Sequence, residues 1–382
     1  MHIQQILTYL HAFMILQPLI YALQLYAYRG VLSKSHRLLA IYMLLISLYF
    51  GINARFLYPE EWYKWFFPMV YPLLLSFNPF YYLYVRSLTD EQYQFKPKVF
   101  LHYIPAFVMA FISLLGYVFD LKVIGHFLEI IKPWMVLVYY LQVVVYVIAI
   151  IQLLKKHQKN ILEYFSYTEN ISLSWLWVFL FMYIAFSVLD ISLYFLSTHY
   201  PLFRLIYFLC MILFINFLGF FGIKQSDIYL QKLYEAKVNI KESLHETPSM
   251  PKDKTVVSSG FQLTEEFKQE LYERILQIMK EKKLYLDPEL NIITLAKLLE
   301  TNYRYVSIVI NEKTGNNFFN FINELRVEEA TENMKKHGNT LTLEAIAQMS
   351  GFRNRSTFLH AFKKKMGVNP SEFMKSLIHV NQ

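Results

Sequence analysis

Two stretches near the end of the chain, TNYRYVSIVINEKTG from Thr301 and GFRNRSTFLHAFKKKMG from Gly351, set cations, hydroxyls and rings beside apolar residues at helical spacing. These side-chain types together offer non-covalent recognition. A guanidinium fork matches the acceptor edge of guanine, hydroxyl and imidazole groups bond base edges or phosphate oxygens, and lysines act as point charges for phosphates. If the apolar face of each stretch packs inward, the opposite face with its amino-terminal turn is left to meet a ligand. In the first stretch that face holds Tyr303, Arg304, Ser307 and Ile308. In the second it holds Arg353, Arg355, Ser356, Leu359 and His360, continued by Lys363, Lys364 and Lys365. Arg304 and Arg355 are the best placed for guanine, and the expected partner is duplex DNA.

The surrounding pattern supplies the elements that would hold these residues. From Thr264, Phe267, Leu271, Ile275 and Ile278 make one helical stripe, closed by the Leu-Asp-Pro of residues 286 to 288. The stretch ITLAKLLETNYRYVSIVINEKTG then reads as helix, tight turn, helix. Leu295, Ala296 and Leu299 face inward, Thr301 and Asn302 cap, and Val306, Val309 and Ile310 form the next apolar face. LTLEAIAQMSGFRNRSTFLHAFKKKMG repeats this about fifty residues later, with Leu343, Ile346, Ala347, Phe352, Phe358 and Phe362 as its apolar set. A single connecting helix, FFNFINELRVEEATENMKK, would hold both units on one axis. From His337 onward six Lys or Arg face two Glu, whereas Phe261 to Lys336 carries 11 Lys or Arg against 13 Asp or Glu, so positive charge gathers at the second unit. Arg326, mid-helix beside Glu328 and Glu329, is expected in a salt bridge, and Phe358 and Phe362 in the core.

These residues resemble the AraC/XylS family of bacterial transcription regulators over about Phe261 to Ile378. The second unit carries the family's landmarks at Gly351 and Phe352, Ser356, Phe358, Phe362 and Lys363, Gly367, Pro370 and Ser371, and Phe373. The first matches through Leu295, Ala296, Tyr305, Val306 and Gly315, the connecting helix through Arg326 and Ala330. It departs at Asn302, often Ser in the family, and at Ile310 and Asn311, where Phe-Lys is common. The resemblance implies a double helix-turn-helix DNA-binding domain and a structural role for Arg326.

The rest of the chain is of another class. Of 382 residues, 55% are hydrophobic, and they crowd into runs before Ile223. Seven runs approach the length of a membrane-spanning helix: about Ile3 to Tyr28, Leu38 to Leu57, Phe66 to Val85, Val99 to Phe119, Trp134 to Leu154, Leu173 to Leu196 and Leu202 to Ile223. Alternate loops RGVLSKSHR, RSLTDEQYQFKPK and KKHQKN hold three Lys or Arg each. The opposite loops hold only Lys64, Lys122 and Lys132, with Arg55 and Arg204 at the helix ends. The positive-inside bias puts the amino terminus outside and everything after Ile223 in the cytoplasm, where DNA is reached. MHIQQ lacks the basic start of a cleaved signal peptide, so the first run is expected to be retained. Asp190 is the most conspicuous ionisable residue within these runs. It is a candidate for lining a ligand cavity, with Asn216 among its polar companions, or for an interhelical hydrogen bond.

The expected organisation is all-α: a seven-helix transmembrane domain over residues 1–223, a cytoplasmic linker over 224–260, and the double helix-turn-helix domain over 261–382. The linker's HETPSMPKDKTVVSSG has the composition of a flexible connection, and Leu230, Leu233, Ile240 and Leu244 fall on heptad-like spacing that would suit a homodimer or, with Lys237 on the seam, a solvated helical extension of the last span. The single cysteine, Cys210, excludes an internal disulfide, and with 11 glycines no phosphate-binding loop, zinc-spaced Cys and His set or nucleophile elbow is visible. The chain is therefore expected to be no enzyme and to need no cofactor. The reading is a transcription regulator in the bacterial inner membrane, its lipid-embedded half sensing an unidentified signal ligand. The alternative is a seven-span transporter or receptor whose C-terminal helical domain binds a protein partner.

Overall fold

The computed structural model of the protein describes residues 2–28, 33–54, 69–90, 93–118, 122–169, 171–196, 201–225, 263–337 and 340–380. The heptad-like leucines and most of the linker lie outside these. The described residues are helical apart from one isolated antiparallel bridge, and they group into two compact units, residues 1–156 with 173–231 and residues 157–172 with 232–382.

The first unit is built from α1 (His2–Ala27), α2 (Ser33–Asn53), α3 (Val70–Thr89), α4 (Ile104–Val118), α5 (Lys122–Tyr164), α6 (Ser174–Leu196) and α7 (Pro201–Lys224), with a 3₁₀ segment, Pro97–Tyr103, leading into α4. Residues of α5 from His157 onward belong to the second unit. The long apolar runs fold as helices, which pair most backbone groups within the segment. Proline does not break them: Pro18, Pro79 and Pro133 all lie inside helices. α1 packs on α2 and α7, α2 on α3, and α6 on α7, around a core that includes Met14, Leu39, Met43, Tyr81, Phe179 and Leu218. At Gly219 the α7 backbone comes so near α1 that an added Cβ would sit 2.5 Å from the Tyr21 ring, the close approach small residues permit between apolar helices.

Apolar side chains also cover the outside, as Leu16 and Leu23 on α1, Phe107 and Phe111 on α4, and Leu137, Leu141 and Ile148 on α5 all show. An outward face of that extent has no polar partner to satisfy and suits a non-aqueous surrounding. Among the described residues five helical stretches are long and apolar enough to cross a membrane: Gln5–Ala27, Lys34–Asn53, Pro97–Leu115, Pro133–Tyr164 and Leu202–Lys224. Two of the seven runs differ. The sixth gives a shorter apolar stretch, Ser174–Asp190, and the third gives the unbroken helix α3, which its tyrosines, Asn78 and Arg86 keep below that apolar level. The fifth run is longer than expected, since α5 continues at both ends through residues read as loop, including Lys122, Lys155 and Lys156.

The second unit contains α8 (Glu265–Lys282), α9 (Ile292–Leu298), α10 (Tyr303–Thr314), α11 (Phe318–His337), α12 (Leu343–Met349), α13 (Arg355–Met366) and α14 (Pro370–Val380). α8 buries Leu271, Ile275 and Met279, one residue off the expected stripe at its end, and stops at Lys283, whose left-handed φ of 45° turns the chain before the Leu-Asp-Pro. One core joins α8, α9, α10 and the start of α11 through Leu295, Leu299, Val306, Ile310 and Ile322. A second joins the rest of α11 to α12 and α13 through Val327, Met334, Ile346, Phe352, Phe358 and Phe362. α11 is shared by both, so it is the axis expected of the connecting helix.

Candidate DNA-reading surface

Each helix-turn-helix head, α9 with α10 and α12 with α13, starts its helices with side-chain caps that close amide groups left open at a helix start. Asn291 accepts from the amides of Ile293 and Thr294 at the start of α9, and Thr342 accepts from Ala345 at the start of α12. The second helices are capped alike: Asn302 accepts from the Arg304 amide (2.9 Å) and Asn354 from the Thr357 amide (2.7 Å). Each cap contributes roughly 1 kcal/mol. α10 and α13 also end alike, at the left-handed residues Gly315 and Gly367. The duplication read in the sequence is thus a duplication of geometry.

On α10, Val306, Val309 and Ile310 are buried, while Arg304 and Ile308 are exposed and Tyr303 and Ser307 half-buried. Arg304 lies along its neighbour, with Nε 3.4 Å from the Tyr303 hydroxyl oxygen, and Ser307 accepts a long bond from Asn311. On α13, Phe358 and Phe362 are buried and Arg355, Ser356 and His360 exposed; Leu359 is half-buried against the second core. Arg353 precedes the helix, pairs with Glu289 (3.2 Å) and lies 5.1 Å over the Tyr167 ring. The three lysines do not act alike. All three are exposed, but Lys365 is drawn onto α11, where Nζ bonds Glu328 (2.5 Å) and the Glu324 carbonyl (3.0 Å).

Arg326, on the shared axis α11, ties the first head's loop to Ser166 and lies against Phe352 of the second head, and here the structure corrects the salt bridge expected from sequence. Arg326 is 1% exposed, and its guanidinium pairs with neither Glu328 nor Glu329. Nε donates to the Tyr285 carbonyl (2.7 Å), Nη2 to the Asp287 carbonyl (2.7 Å) and to Ser166 Oγ (2.9 Å), and Nη1 to the Ser166 carbonyl (2.9 Å) and Asn323 Oδ1 (3.1 Å). The guanidinium also lies 5.9 Å from the Phe352 ring. Burial pushes Arg326 down to about 10, and the nearby charges of Asp287 and Glu169 oppose that, so it stays cationic at neutral pH. Glu329 instead takes Lys283 and the Tyr285 hydroxyl, both at 3.0 Å.

The second fastening between heads is Gly351, in the turn between α12 and α13. Its φ is +85°, and a Cβ there would collide with the Tyr285 carbonyl oxygen and come within 2.8 Å of Leu286 Cα. Only glycine fits that backbone against the first head's loop.

Residues 165–169, by sequence a loop between two apolar runs, belong to this unit, and nothing in their composition marks them. Phe165, Ser166 and Tyr167 are buried, Phe165 bridges Asn291, and Ser166 Oγ donates to the Leu290 carbonyl (2.7 Å). Asn354 and Thr357, not singled out in the sequence, are the residues they reach on α13.

The two polar candidates of the first unit have separate partners. Asp190 accepts from the Tyr140 hydroxyl (3.1 Å), joining α5 to α6; Asn216 accepts from Gln17 (2.9 Å) and Tyr21 (3.0 Å), joining α7 to α1. Among the described residues no cluster of His, Cys, Asp and Glu is placed to hold a metal ion.

Residues 295–376, from inside α9 to α14, match a family model described as a helix-turn-helix domain. The chain is similar to an uncharacterized HTH-type transcriptional regulator of Bacillus subtilis (strain 168), YobQ, at 32% identity over 88 residues, which are 22% of this chain and 36% of that protein. The match therefore spans about a third of the relative's length. Among solved structures, one of a Listeria innocua protein of unknown function covers 27% of this chain and 94% of its own at 23% identity, with a TM-score of 0.24, too low to bear on the fold.

Proposed function

We propose that the chain is a membrane-anchored transcription regulator of the AraC/XylS type, which binds duplex DNA through α10 and α13 and couples that binding to a signal at the membrane. The observation that carries the reading is the pair of equivalently capped second helices on one shared axis. They leave Arg304, Ile308, Arg355, Ser356 and His360 exposed on faces opposite the two cores. Each helix would enter a major groove, with successive grooves of one DNA face about 34 Å apart. Lys363 and Lys364 supply phosphate contacts, while Tyr303, Ser307, Arg353 and Leu359 flank the reading face. The apolar helices of the first unit support anchoring in a bilayer with the reader on the cytoplasmic side. Asp190, with Asn216 as a second polar position, is the proposed meeting point for a signal ligand.

The test is a selection of random-sequence duplexes by the full chain in detergent micelles. A sequence-specific pool should emerge, and Arg355→Ala should cost about 1 to 3 kcal/mol at one base position and relax the preference there. No enrichment at any salt concentration would refute the reading.

A further inference from the structure

The segment from Tyr164 to Glu169 touches the start of each second helix. Tyr164 packs against the first core and edge-on to Tyr303, the first residue of α10, with ring centroids 5.6 Å apart. Tyr167 lies beneath the Arg353 guanidinium. Glu169 accepts hydrogen bonds from the Asn354 side-chain amide and from Thr357 Oγ1 (3.0 Å), at the cap and first turn of α13. Between these contacts Ser166 is fixed by Arg326 and by Leu290. One short segment is thus held against both heads and the guanidinium between them.

The first turn of the second helix is where a helix-turn-helix offers donors to phosphates and base edges. A carboxylate held there takes the acceptor role of a phosphate oxygen and is favoured by the same helix end. It also repels a real phosphate that approaches. Arg304, Arg355, Ser356 and His360 stay exposed, so the segment weakens DNA binding without closing the reading face.

We propose that residues 164–169 are a latch in which Glu169 stands in for a DNA phosphate, and that its release from Asn354 and Thr357 accompanies engagement of DNA. This rests on the DNA-binding reading above and adds its regulation. Because the segment follows directly on α5 in the chain, a change along that helix has a covalent route to the reader besides the linker.

The test compares the full chain with Glu169→Gln in detergent micelles, by fluorescence anisotropy on a selected duplex and an unrelated one across a salt series. Glutamine keeps the size and hydrogen-bonding oxygen and removes the charge. Binding should tighten roughly two- to fivefold on both duplexes, and the salt dependence should steepen by about one phosphate. Glu163→Gln, whose acid pairs with Lys159, should leave both unchanged. In wild type, saturating duplex should speed hydrogen exchange at the Ser166 amide, which donates to the Leu290 carbonyl in the latched form. Equal or weaker binding by Glu169→Gln where wild type binds would overturn the latch and leave the DNA-binding reading standing. Absence of binding by both proteins on every duplex would overturn both.

Discussion

Replacing Arg326 by leucine removes five hydrogen bonds and leaves three buried acceptors, the carbonyls of Tyr285 and Ser166 and Asn323 Oδ1, without that donor, whereas the Asp287 carbonyl keeps the Leu290 amide. A buried acceptor left unpaired costs about 1 to 3 kcal/mol, so three of them set a gross loss of about 3 to 9 kcal/mol. Relief of the buried charge and local relaxation offset part of this, and the net loss should be about 3 to 5 kcal/mol, the range found when one partner of a buried ionic network is removed. For a unit of this size that is a fall in melting temperature of roughly 10 to 20 °C. The five tryptophans, Trp62, Trp65, Trp134, Trp175 and Trp177, all lie outside the reader, so tryptophan fluorescence does not report on it. The assay is therefore pulse proteolysis of the full chain in micelles across a urea series, following the C-terminal band. Arg326→Lys should recover little, because one ammonium group cannot span carbonyls that a planar fork reaches together. Glu329→Gln should cost under about 1 kcal/mol, since that acid serves a partly exposed lysine pair. A loss below about 1 kcal/mol for Arg326→Leu, or a Lys variant as stable as wild type, would refute the network as the joint between the heads.

Gly351→Ala adds a Cβ against the Tyr285 carbonyl in a left-handed backbone and should destabilise the reader by about 2 to 4 kcal/mol in the same proteolysis assay. Lys363→Gln with Lys364→Gln should lower the salt slope of DNA binding by about two, whereas Lys365→Gln, already held by Glu328, should leave it nearly unchanged. Asp190→Asn should alter reporter transcription in cells without changing DNA binding by the purified chain, and an unaltered reporter would remove Asp190 from the signal path.

Periodicity made the cores legible. Leu295, Ala296, Leu299, Val306, Val309, Ile310, Ile346, Ala347, Phe352, Phe358 and Phe362, all expected inward from spacing, are buried, because a helix repeats its buried face every three to four residues and the sequence must repeat with it. The role of Arg326 was legible only as structural. Its acceptors include main-chain carbonyls at positions 166, 285 and 287, and no side-chain type announces a carbonyl. The same holds for Lys365, whose partner lies on α11 and depends on how two helices cross. Span lengths were blurred where polar residues continue a helix past its apolar run, as at both ends of α5. The segment 164–169 carried no signal because its bonds are to residues more than a hundred positions away.

That separation has a consequence for how the protein is made. Ser166 leaves the ribosome 160 residues before Arg326, its partner. At about 5 to 20 residues per second the interval is roughly 8 to 30 s. The joint between the heads therefore closes late, after the apolar helices have been synthesised. A reader cut free within the linker would lack Ser166 and with it part of the seat of Arg326, so a stray fragment would be less stable than the tethered form.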